Sequence, residues 1–143
     1  MQTEIKAAVT ILRSSGLVAF PTDTVYGLGA DAKNSAAMAK IFAAKNRPAN
    51  RPLIVLLGDI KQIKDWVSDI PPAAQALAQH FWPGPLTLIL PSAKQSIGLR
   101  VPNHPIALAL LKEFGDGIAT TSANRSGQQS LLQADQVSAE LGH

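Results

Sequence analysis

The chain contains no cysteine. That excludes disulfides, thiolate metal sites and a cysteine nucleophile, and it fits a reducing compartment. Aromatics are scarce: four Phe, two Trp and one Tyr. The stacking platforms that grip single-stranded nucleic acid therefore have little to be built from. No apolar run approaches the ~20 residues a membrane helix needs, and Met1–Arg13 lacks the continuous apolar stretch of a secretory signal. The expected compartment is the cytoplasm. Charged residues make up only 16% of the chain against 46% hydrophobic, which argues against global disorder. The G-x-x-x-x-G-K-[ST] and G-x-S-x-G motifs are both missing, and His80, His104 and His143 show no metal-ligand spacing.

What is present suits one domain of 143 residues with a real core. Lys and Arg exceed Asp and Glu, giving a formal net charge of +3. The cations cluster in part: Lys40, Lys45, Arg47 and Arg51 fall in a stretch between Lys33 and Asp59 that holds no acid. Such a patch suits phosphates or nucleic acid. It equally suits a solvated helix end and loop.

Apolar spacing predicts a helix over Thr3–Ser15, capped by Thr3 and ended by Gly16. Leu17–Phe20 reads as a buried strand and Pro21–Gly29 as a loop. Ser35 caps a helix over Ala36–Lys45. Leu53–Leu57 reads as a strand, Asp59 opens a short helix, and Pro72–Phe81 forms another with Leu77, Ala78 and Phe81 buried. Trp82–Pro85 is a rigid turn. Strands follow at Leu86–Leu90, Ile97–Val101 and Ile118–Thr121, with a helix over Pro105–Phe114 and a last one over Gln133–Leu141. Alternating helices and short strands predict an α/β fold, a twisted sheet flanked by helices. The short link between Leu86–Leu90 and Ile97–Val101 favours an antiparallel pair, so the sheet should be mixed parallel/antiparallel.

Four polar segments sit where strands or helices end, which is where open α/β sheets place ligands. They are Thr22-Asp23-Thr24; Lys45-Asn46-Arg47 with Arg51; Ser96 and Arg100; and Thr120-Thr121-Ser122-Ala123-Asn124. Together they offer hydroxyls, amides, four cations and a single carboxylate, Asp23. That chemistry suits an anionic ligand. Thr-Asp-Thr and Ser-Ala-Asn also fit plain turn and cap chemistry. Arg100, among Ile97, Leu99 and Val101, requires a partner anion or a route to water. His104 suits a turn, and His80 suits packing beside Phe81. Gly27-Leu28-Gly29-Ala30-Asp31-Ala32 fits G-x-G-x-x-G/A, but it starts seven residues after Phe20 rather than in a tight strand-to-helix turn.

Five stretches carry a resemblance: Phe20–Ala32 (FPTDTVYGLGADA), Lys40–Arg47 (KIFAAKNR), Phe81–Leu88 (FWPGPLTL), Arg100–Pro105 (RVPNHP) and Ser122–Gly127 (SANRSG). In this order and spacing the chain resembles the YrdC family, the threonylcarbamoyl-AMP synthases. The resemblance implies a YrdC-like α/β sheet with an open cationic cavity. It implies a nucleotidyltransferase that joins L-threonine, bicarbonate or CO2 and ATP into threonylcarbamoyl-AMP and pyrophosphate. The product would feed a transferase complex that modifies tRNA. By resemblance, Thr24, Arg100 and Thr120 hold threonine. Lys45, Arg47, Arg51, Ser96, Ser122, Asn124 and Ser130 hold ATP with its Mg2+, and Lys45 and Arg47 are catalytic. Arg51 stands where many members have Asn, Leu56 where many have His, and Thr121 where Pro is common. The family usually continues past the position of His143, so the resemblance implies a C-terminally incomplete domain with an unpaired sheet edge and weakened catalysis. The alternative is a module for double-stranded RNA or tRNA, or for nucleotide, without turnover.

Overall fold

The computed structural model describes residues 2–45, 54–92 and 96–122, with 42–45 and 122 described in backbone alone. Arg47, Arg51, Asn124, Ser130 and the expected helix over Gln133–Leu141 lie outside the described residues.

The first helix, α1 (Gln2–Arg13), buries Ile5, Val9 and Leu12 at helical spacing. Thr3 lies inside its first turn rather than capping it. Its left-handed terminal residue is Ser15 (φ 68°) rather than the expected Gly16, and the Gly16 N–H returns to the Ile11 carbonyl at 2.8 Å. Gly16 is needed for space: a Cβ there would lie 2.5 Å from Ile11 Cγ2.

Strand β1 (Val18–Phe20) is followed by β2 (Gly27–Asp31), where a loop was expected as far as Gly29. Before α2 (Ser35–Lys45), Asn34 Oδ1 accepts the Ala37 N–H at 3.1 Å, so Asn34 supplies the cap expected of Ser35. Strand β3 (Ile54–Leu56) leads to a 3-10 helix over Ile60–Asp65. Asp59 opens it through a capping box with Gln62.

The helix α3 (Pro72–Phe81) buries Ala74 and Ala78. Leu77 and Phe81, expected inside, are 42% and 49% exposed. The two alanines form the inward stripe, and the larger side chains lie off it. Strands β4 (Leu88–Pro91) and β5 (Ser96–Arg100) pair antiparallel, as expected. Leu86 stays outside β4, in the turn, where its carbonyl accepts the Trp82 indole N–H at 2.7 Å. Helix α4 (Pro105–Phe114) starts with His104 Nδ1 accepting the Ile106 N–H at 3.1 Å. It ends on Gly115 in the left-handed region. Strand β6 (Ile118–Ser122) is last among the described residues.

The described strands form one sheet in the order β1-β2-β6-β3-β5-β4. The β3–β5 pair is parallel and the other neighbours are antiparallel, so the sheet is mixed. Residues paired across strands share a face. One face carries Phe20, Leu56 and Ile118, which pack with α1 and α4. The other carries Val55, Leu88, Leu90 and Leu99, which pack with the 3-10 helix and α3. Ala30 and Ala119 meet α2 on that second face. Fully buried side chains such as Leu99 and Leu110 each contribute roughly 1.5–3 kcal/mol of hydrophobic stabilisation.

The G-x-G-x-x-A segment is therefore strand rather than a phosphate-binding turn. Its glycines meet neighbouring side chains. A Cβ at Gly27 would lie 2.6 Å from Thr120 Oγ1, and one at Gly29 would lie 2.7 Å from Phe20 Cε1.

Candidate functional site

The register sorts the sequence-derived candidates. Leu56 pairs with both Arg100 and Ile118, and Ile54 pairs with Gly98 and Thr120. Ser96, Arg100 and Thr120 therefore share the face that carries the α1–α4 core. That core covers only part of it. Beside it lie Gly27, Gly98, Ile54, Ile89, Ser96 and Thr120. Among the described residues no helix packs there, and Ile89 is 63% exposed. Of these, Ile54, Ile89 and Ser96 are exposed, while Gly27, Gly98 and Thr120 are buried. Gly27 is paired with Ser122 at the end of β6, which brings the start of the Ser-Ala-Asn segment to the same margin.

Arg100 is the best-defined candidate. It is 9% exposed, and its guanidinium ties three segments together. Nε donates to the Gly84 carbonyl at 2.9 Å. Nη1 donates to Thr24 Oγ1 at 3.3 Å. Nη2 forms an ion pair with Asp23 Oδ1. Asp23 is the partner anion that an arginine on an apolar strand requires. The side chains of the pair are 10% and 15% exposed, so the pair is largely desolvated.

The loop between β1 and β2 is shaped for this contact. Thr22 Oγ1 donates to the Val25 carbonyl at 2.6 Å and accepts the Thr24 N–H at 3.3 Å. The Thr22 and Thr24 hydroxyls lie 3.2 Å apart. Because the Thr22 proton goes to Val25, the Thr24 hydroxyl donates to Thr22 and accepts from Arg100. On the other side, the turn after α3 contains a cis Trp82–Pro83 bond. The Gly84 N–H donates to the Val101 carbonyl at 2.8 Å, holding the Gly84 carbonyl against Arg100.

Arg100 has five N–H donors. Contacts with the described residues take three of them. A guanidinium in a dry site can fork onto a carboxylate. Leu56, beside Arg100 in register, is 1% exposed and belongs to the apolar core. Thr120 is also buried, with its hydroxyl over the Gly27 backbone.

The structure thus brings Thr24 to Arg100 and sets Ser96 and Thr120 on the same face. Lys45 ends α2 and is described in backbone alone, as is Ser122. Asp23 and the Gly84 carbonyl had been given no role from the sequence. The signal for Asp23 was present, since it is the single carboxylate among the polar segments. Nothing in the sequence marks the Gly84 carbonyl.

Residues 10–143 match the family model Sua5_yciO_yrdC, described as telomere recombination. The chain belongs to this family. Within the Sua5/YciO/YrdC family it is 46% identical over 149 residues to the threonylcarbamoyl-AMP synthase of Bacillus subtilis, covering 96% of this chain and 43% of that protein. The structure of P. abyssi Sua5 complexed with L-threonine superposes with a TM-score of 0.94 at 41% identity, covering 98% of this chain and 44% of that one. E. coli YciO superposes at 0.88 with 27% identity, covering 97% of this chain and 73% of that one. The mixed sheet flanked by helices is the fold of this family. The chain spans less than half the length of the Bacillus and Pyrococcus relatives. Among the described residues no helix is long and apolar enough to cross a membrane.

Proposed function

We propose that this chain carries the substrate-binding face of an L-threonylcarbamoyladenylate synthase. The reading is supported by the threonylcarbamoyl-AMP synthase relative at 46% identity and the close likeness to a fold solved with L-threonine. The observation in this molecule that carries it is Arg100, buried on the sheet and held by Gly84, Thr24 and Asp23. The relatives favour this reading over a module for double-stranded RNA.

The chemistry follows from charge. Threonine's amine loses a proton and attacks CO2, forming a carbamate. A carbamate oxygen then attacks the α-phosphorus of ATP, and the bond to the β-phosphate oxygen breaks to release pyrophosphate. Both reactants are anions, so they approach only where cations offset their repulsion. Arg100 forks onto the threonine carboxylate, Thr24 supplies a hydroxyl and Thr120 backbone contact. ATP would enter as its Mg2+ complex, the ion offsetting triphosphate charge; among the described residues no cluster of three or more His, Asp or Glu could hold it, which suits an ion that arrives with its nucleotide. In this reading Lys45, Arg47, Arg51, Ser96, Ser122, Asn124 and Ser130 hold the triphosphate. Lys45 and Arg47 stabilise the charge that builds on the phosphorus. Holding the carbamate against ATP supplies much of the remaining acceleration. The product serves a transferase complex that modifies tRNA in the cytoplasm.

Mass spectrometry of a reaction containing ATP, L-threonine and bicarbonate should detect threonylcarbamoyl-AMP. Lys45→Ala and Arg47→Ala should each reduce it by about 10²-fold or more. Absence of the product from the wild-type reaction contradicts the reading.

A further inference from the structure

We propose that Asp23 is a specificity-determining residue, the fixed counter-ion that reserves the Arg100 subsite for a zwitterion and against simple anions. The proposal rests on the threonine reading above and adds a residue to it. An unpaired, desolvated guanidinium attracts any anion, including the phosphates of the second substrate. With Asp23 on Nη2 the subsite carries no net charge. A ligand bearing one carboxylate and nothing else then meets a donor fork and an opposing carboxylate, and part of its attraction is cancelled. A ligand bearing carboxylate and ammonium satisfies both. The Asp23 side chain is 15% exposed. Among the described residues only Oδ1 is bonded to Arg100, so Oδ2 has capacity for an ammonium N–H. Such a charge-assisted contact is stronger than a neutral hydrogen bond.

The geometry also fixes the direction of recognition. Nε is committed to Gly84 and one Nη1 proton to Thr24. The guanidinium plane is thereby set before any ligand arrives, and Asp23 lies at its Nη2 edge. An α-amino acid presents its carboxylate and ammonium on adjacent atoms, which matches a fork with an acceptor at its edge.

The test compares L-threonine with 2,3-dihydroxybutanoate, which keeps the carboxylate and side chain and replaces the ammonium by a hydroxyl. Both are titrated calorimetrically into the wild-type protein and into Asp23→Asn and Asp23→Glu. The wild type should prefer threonine by about tenfold or more, the ratio one charge-assisted hydrogen bond supplies. Asp23→Asn should lose most of that preference by gaining affinity for the hydroxy acid, and Asp23→Glu should restore part of it. An unchanged ratio in Asp23→Asn overturns the assignment and leaves the threonine reading standing. No threonine binding in the wild type, with hydroxy-acid binding that rises in Asp23→Asn, overturns the threonine reading and keeps Asp23 as counter-ion. Binding of neither ligand overturns both. If Asp23→Asn does not fold, the wild-type ratio alone decides: below about twofold, the assignment fails.

Discussion

Removing the guanidinium of Arg100 would strand two groups. Asp23 would keep a carboxylate in a site where its side chain is 15% exposed, and the Gly84 carbonyl would lose its donor. Breaking a buried pair from one side costs about 3–5 kcal/mol, far more than the median surface pair contributes. Arg100→Ala should therefore lower the thermal midpoint even without ligand, and threonine binding should vanish with it. Arg100→Lys keeps a cation but not the planar fork. It should recover much of the stability and little of the binding. Scanning calorimetry followed by threonine titration checks both. A variant as stable as the wild type would show that the Asp23 pair contributes nothing to folding. At this scale much was legible beforehand: an arginine on an apolar strand demanded an anion, and one carboxylate lay among the polar segments. The Gly84 carbonyl was not legible, because a backbone acceptor leaves no mark in a sequence.

At the scale of elements, β2 shows where reading by residue type stops working. Gly27 and Gly29 look like loop punctuation. The structure puts both in a strand buried on both faces, between β1 and β6. Burial on both faces removes the alternation that usually betrays a strand, and the glycines are there because Thr120 and Phe20 occupy the space a Cβ would need. Gly29→Ala would push against Phe20 Cε1 at 2.7 Å and Ile118 Cγ2 at 2.8 Å. Overpacking of that kind costs about 1–3 kcal/mol. Urea unfolding should show the loss as a lower midpoint at unchanged slope; an unchanged midpoint would mean the ring and methyl move aside freely. The helices were easier, since apolar spacing gave α1, α2, α3 and α4 within a few residues. Their caps were not, because Ser35 and Asn34 are equally good candidates until the Ala37 N–H is seen to point at Asn34.

For the whole molecule, one sheet does two jobs. Its two faces bury separate apolar clusters, and the face that carries Arg100 also carries the exposed Ile54 and Ile89. The fold class was legible because helices and short strands alternate. The strand order was not, since β2–β6 and β3–β5 pair residues far apart in the chain and no local spacing encodes such contacts. The motifs named the candidate residues, and the register put Ser96, Arg100 and Thr120 on one face. The central claim is that amino acid and triphosphate meet on that face. Pyrophosphate release from ATP, measured with L-threonine and bicarbonate each omitted in turn, tests it most directly. The account predicts release only when all three reactants are present. Release that continues at the same rate without threonine or bicarbonate would contradict it.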